Sequence, residues 1–242
     1  MKTTQSISTA IIITCLFCGA VLPTAAQTEK NPRSKHTGGF GHFNGSYETV
    51  NLGELNTLLE QTGYPALSPA YLSFGGSGYF VIKNVLFGGG GASLSGQNFE
   101  SDTTVLNMSG GYGYFSLGYL ISSGKRSFFY PNVGLGLGGF GFQLGKKGAT
   151  TDFREQLETP GGRFHSDAGG YFINLQMAWQ RMFGTGSKKG WSLGFKAGYK
   201  ISPSTWNLNV NGEKSSNAPG INMNGIYASI SIGGGTLFGD RD

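Results

Sequence analysis

The sequence predicts an all-β fold: a closed antiparallel up-and-down β-barrel of about eight strands, with one short helix in the first long connection. Three observations predict it. Glycine supplies 43 of the 242 residues and aromatics 13%, which separates the chain from disordered low-complexity sequence, poor in Phe and Tyr. Period-two alternation of apolar and polar residues, the mark of a strand with two different faces, recurs along the chain and is clearest over 171–180 and 191–202. The connections between these stretches alternate between short and long, apart from one brief member of the long set.

The first element precedes the barrel. Lys2, the apolar run Ala10–Cys18 and the small residues Thr24-Ala25-Ala26 ahead of Gln27 form the three parts of an export signal. The run is too short for a spanning helix, which needs roughly 20 residues. The expected organisation is therefore a cleaved signal peptide over 1–26, a basic flexible tail over 27–37 (Lys30, Arg33, Lys35) and a transmembrane barrel over 38–242. Both cysteines, Cys15 and Cys18, leave with the signal, so the mature chain has no disulfide or thiol chemistry. Lipidation needs a small residue before the acceptor cysteine, and Phe17 stands before Cys18.

Strands are expected near 38–50, 70–83, 85–96, 102–121, 127–145, 168–183, 190–203 and 220–236. In 171–180, Tyr171, Ile173, Leu175, Met177 and Trp179 share one face, and Asn174, Gln176, Ala178 and Gln180 the other. In 191–202, Trp191, Leu193, Phe195, Ala197, Tyr199 and Ile201 alternate with small residues and with Lys196 and Lys200. The last strand sets Ile226, Ala228, Ile230 and Ile232 against Tyr227, Ser229, Ser231 and Gly233. Val133, Leu135 and Leu137 lie on one parity and Phe140, Phe142 and Leu144 on the other, which predicts a β-bulge at Gly138-Gly139. Leu52, Leu55, Leu58 and Leu59 have helical spacing and are stopped by Gly63 and Pro65, predicting an amphipathic helix over 52–62 packed on a barrel rim.

Alternation alone fits a soluble barrel with apolar faces inward as well as a membrane barrel with them outward. Glycine content and loop asymmetry favour the second. Ile173, Leu175, Met177, Trp191, Leu193, Phe195, Tyr199, Ile230 and Ile232 are then the lipid-facing candidates. Asn174, Gln176, Gln180, Lys196, Lys200 and Tyr227 are the lumen-lining candidates.

Several motifs carry a resemblance: Gly53-Glu54-Leu55-Asn56, Gly63-Tyr64-Pro65, Ser73-Phe74-Gly75-Gly76, Gly88-Gly89-Gly90-Gly91, Ser109-Gly110-Gly111-Tyr112-Gly113-Tyr114 and Ser231-Ile232-Gly233-Gly234-Gly235, with Ala25-Ala26-Gln27 at the cleavage site. With these the chain resembles small outer-membrane β-barrel proteins of Bacteroidetes-type bacteria. The resemblance implies the outer membrane as the compartment and lipid as a partner, without an activity. Many such barrels end in an aromatic residue; here Gly239-Asp240-Arg241-Asp242 follow Phe238.

No catalytic, cofactor or metal set is expected. His36 falls in the tail, His42 on the first strand as a lumen or rim residue, and His165-Ser166-Asp167 at the end of a long loop. Adjacent residues diverge and cannot form a relay triad. No cluster has metal-ligand spacing, and no Gly-Lys-Ser/Thr follows the glycine runs. No basic stripe with interleaved aromatics supports nucleic-acid binding. The expected function is a non-enzymatic barrel with a structural or surface role, meeting envelope partners through its longer loops or the 52–62 helix. The alternatives are a narrow solute channel or ligand-binding barrel, then a soluble lipocalin-like barrel or an acyl-modifying enzyme.

Overall fold

The computed structural model describes residues 35–100, 102, 104–122, 126–146, 163–184, 189–210, 213–214 and 218–239; the expected signal segment and residues 27–34 lie outside them. Eight long strands follow in order: β1 (His36–Thr49), β2 (Ala70–Ile82), β3 (Val85–Glu100), β4 (Thr104–Tyr119), β5 (Ser127–Lys146), β6 (Arg163–Phe183), β7 (Lys189–Ile201) and β8 (Gly225–Gly239). Among the described residues there is one helix, α1 (Gly53–Gln61), between β1 and β2. Each strand pairs antiparallel with the next, and β8 pairs back onto β1. The sheet is therefore a closed ring, in which strand N–H and C=O groups find partners on both sides.

The registers measure the ring. Gly38 pairs with Val81, and the path continues through Leu86, Gly118, Asn132, Gln176, Gly198 and Tyr227 to Glu48, ten residues further along β1. With ~3.4 Å per residue and ~4.8 Å between strands, that stagger tilts eight strands by about 41° from the barrel axis. Each residue then rises roughly 2.5 Å along the axis, so the outward apolar run from Trp191 to Ile201 spans about 25 Å, the height of a membrane barrel's apolar band.

The β2–β3 turn is only Lys83-Asn84, with φ of 50° and 73°, the left-handed pair of a tight hairpin turn. Asn84 also fastens the chain start: its Oδ1 accepts the His36 N–H at 2.6 Å, and its own N–H donates to the His36 carbonyl at 3.0 Å. Together with the edge-on contact of the His36 ring to Phe128 at 5.5 Å, this brings His36 and Thr37 into β1, where the sequence reading ended the flexible tail at 37. β6 likewise begins at Arg163 instead of near 168, so His165-Ser166-Asp167 lies within a strand.

The expected bulge at Gly138-Gly139 is absent. Pairing of β5 with both β4 and β6 runs through those glycines without a slip. The apolar residues change parity because the strand's surroundings change: Leu135 and Leu137 face outward, 69% and 70% exposed, while Phe140 and Phe142 point into an apolar interior layer. The register shift falls instead between β3 and β4, at Leu94/Gln97.

The interior has three layers. Near the short turns, Phe40, Tyr79, Val81, Leu86, Phe128, Tyr130 and Met182 form an apolar cluster. Near the long loops, Tyr71, Leu106, Met108, Phe140, Phe142 and Phe172 form another. Helix α1 belongs to the second: Leu52, Leu55 and Leu59 insert with Trp206, Ile221 and Met223 across the mouth of the barrel. The Glu54 carboxylate accepts the Gly220 N–H at 2.7 Å, and Asn51 and Asn222 exchange backbone hydrogen bonds. The helix thus turns its apolar stripe into the barrel, leaving Leu58 41% exposed.

Large interior rings fit because glycines stand opposite them. A Cβ on Gly136 would collide with the Phe172 ring and stand 2.7 Å from the Gly113 carbonyl, whereas one on Gly141 would meet nothing within 4 Å. Gly136→Ala is expected to destabilise the barrel by about 1–3 kcal/mol through overpacking, and Gly141→Ala to change stability by less than about 0.5 kcal/mol. Guanidinium unfolding in detergent micelles measures both.

Candidate functional site

The third interior layer lies between the two apolar clusters and is polar. It is assembled by strand parity: inward positions on β1 are His42, Asn44, Ser46 and Glu48, on β6 Asn174, Gln176 and Gln180, on β7 Lys196 and Lys200, and on β8 Tyr227, Ser229 and Ser231. Lys200 forms an ion pair with Glu48, both side chains being 3% exposed or less. The Lys200 ammonium also lies 3.5 Å from the Tyr112 ring centroid, and the Tyr112 hydroxyl donates to Glu48 Oε1 at 3.4 Å. A charge taken out of water is held here by a carboxylate and a π-face.

Lys196 has neutral partners. Its ammonium donates to Asn44 Oδ1 at 2.8 Å and to Ser77 Oγ at 2.6 Å. Tyr227 Oη stands 3.0 Å from Asn174 Oδ1 and 3.1 Å from Gln176 Oε1. Asn44, Asn174, Gln176, Lys196, Lys200 and Tyr227 line a cavity of about 20 Å³, room for roughly one water molecule.

The lumen candidates are all buried. The structure brings Asn174, Gln176, Lys196, Lys200 and Tyr227 together around the cavity, while Gln180 sits apart, its Oε1 accepting from the Tyr130 hydroxyl at 3.4 Å. On the outer surface, Leu175, Trp191, Leu193, Phe195, Ile230 and Ile232 are exposed and Ile173, Met177 and Tyr199 half-buried. Sequence reasoning missed Glu48, Asn44, Ser77 and Tyr112 as partners of the two lysines. The spacing of two from His42 to Glu48 carries that signal for β1, but the pairing itself depends on the ring's stagger.

The histidines do not assemble a catalytic set. His42 is buried with Nε2 3.2 Å from Ser192 Oγ. Within β6, Ser166 points inward and donates to the Asn209 carbonyl at 2.5 Å, whereas His165 and Asp167 are exposed on the opposite face. Strand alternation, rather than a loop, separates the three side chains.

No protein-family model matches the sequence, and no curated protein matches it. The solved structures it resembles, at low TM-scores, include bacterial surface and outer-membrane proteins. Ail, the attachment invasion locus protein of Yersinia pestis, is 11% identical, with 84% of this chain aligned to 99% of that one at a TM-score of 0.42. Neisserial surface protein A is 13% identical, with 84% aligned to 99% at 0.40. The outer membrane protein AlkL is 18% identical, with 89% aligned to 96% at 0.35.

Removing one member of the buried ion pair strands its partner, which costs about 3–5 kcal/mol. Glu48→Gln or Lys200→Met alone is therefore expected to lower the temperature at which the folded, fast-migrating gel band converts to the unfolded one. The double variant Glu48→Leu/Lys200→Met is expected to lower it less than either single change.

Proposed function

We propose that the chain is an outer-membrane barrel protein without enzymatic activity, whose role is structural or is exerted at the surface through its longer loops. The observation that carries this reading is an inside-out distribution of polarity. Phe80, Leu135, Leu137 and Ile230 are 66–70% exposed on the outer wall, while Glu48, Lys196 and Lys200 are 1–3% exposed within. In water an apolar surface around a whole barrel exceeds what soluble monomers expose; in lipid it is the required surface. A lipocalin-like soluble barrel needs the opposite arrangement.

Among the described residues no helix is long and apolar enough to cross a membrane, and the crossing falls to the strands. The signal over 1–26, cleaved before Gln27, would deliver the chain for assembly. The glycine-rich motifs and the Ala25-Ala26-Gln27 junction support an origin in Bacteroidetes-type bacteria. The face of α1 that carries Leu52, Leu55 and Leu59 is occupied inside the barrel, which leaves the segments around 146–167 and 203–220 to meet envelope partners.

The channel reading is disfavoured by the two apolar clusters that bracket the polar layer. Reconstituted protein is expected to give no single-channel openings in planar bilayers, to fractionate with outer membranes and to show a heat-dependent gel shift. Recovery in the soluble periplasmic fraction without that shift contradicts the membrane assignment; regular conductance steps contradict the closed interior.

A further inference from the structure

The charges of the barrel are sorted by rim. Among the described residues, the short-turn end carries Lys35, Lys83, Arg126, Arg181 and Lys189, all exposed, and no Asp or Glu. The long-loop end carries Glu54, Glu60, Glu100, Asp102, Asp167 and Glu213 against Lys146, Arg163 and Lys214. In sequence, Lys125 and Lys188 fall in the same short connections, and Asp240, Arg241 and Asp242 follow β8.

The five described cations do not converge on one pocket. They stand before β1, between β2 and β3, before β5, near the end of β6 and at the start of β7, forming a band around the ring. An aromatic anchor lies beside one of them: Phe183 and Trp191 stack at 4.3 Å, and the Arg181 guanidinium is 5.6 Å from the Phe183 centroid. Trp191 is 54% exposed on the outer wall. Indole rings of membrane proteins settle at the head-group level, so cations at the adjoining rim reach the depth of lipid phosphates.

We infer that the short-turn rim binds the head groups of anionic phospholipids and thereby selects the lipid that surrounds this end of the barrel; the inference rests on the membrane reading above. A band of separate exposed cations suits a fluid, multiply charged surface, whereas a single phosphate ligand calls for donors converging on one point. Each cation held near such a surface favours anionic lipid roughly fivefold.

The test uses the whole mature chain carrying Trp179→Phe, so that Trp191 is the outward-facing indole. It is reconstituted in vesicles of phosphatidylethanolamine and phosphatidylglycerol in which one lipid or the other bears brominated, fluorescence-quenching acyl chains. At equal mole fraction, brominated phosphatidylglycerol is expected to quench Trp191 several-fold more effectively. The preference is expected to collapse in Lys83→Gln/Arg126→Gln/Lys189→Gln and in high salt, and to persist in Glu54→Gln/Glu60→Gln. Equal quenching by the two lipids, or a preference that the triple variant retains, overturns the inference. Absence of quenching by either lipid contradicts the membrane reading itself.

Discussion

The hydrogen bonds between β1 and β8 are the interaction on which the rest of the structure depends. Without them the sheet has two long, glycine-rich edges with unpaired backbone groups. With them the ring closes at a stagger of ten residues, and that stagger sets the tilt, the interior width and the juxtaposition of side chains far apart in sequence. Glu48 meets Lys200 because Glu48 pairs with Tyr227 across the closure and Lys200 lies one strand further on. His36 and Asn84 reinforce the start of β1, where the closing strand is most exposed to fraying.

Once the ring is closed, the interior must be filled, because an eight-stranded barrel encloses only enough space for side chains. Here the filling is layered: apolar at both ends and polar in the middle. The large rings of Phe172, Trp206 and Tyr112 occupy room that inward-facing glycines leave, which explains a glycine content that would otherwise weaken strands. The lid formed by α1 and the Trp206 and Ile221 segments extends the upper layer past the strand ends.

The alternation in 171–180 and 191–202 made two strands and their faces legible in the sequence, and the Lys83-Asn84 punctuation marked a turn. Other features were hidden for physical reasons. The parity change at Phe140 reads as a bulge only if the strand meets the same surroundings along its length; it passes instead from outer apolar residues to inner ones as the lumen becomes apolar. The burial of α1 was also out of reach, because Leu52 and Leu55 have the same spacing whether they cover a rim or a mouth. Glu48 could not be matched to Lys200 before the stagger was known. The placement of His165 and Asp167 on the opposite face from Ser166 followed from extending β6 to Arg163.

On the proposed membrane reading, β7 presents its apolar face to lipid and its polar face to a closed lumen. Nitroxide labels placed singly at cysteines substituted for residues 191–197, in reconstituted vesicles, measure it through accessibility to oxygen, which concentrates in the bilayer. A period of two is expected, with maxima at Trp191, Leu193, Phe195 and Ala197 and minima at Ser192, Gly194 and Lys196. Maxima at the even positions, or uniform accessibility along the strand, would contradict it.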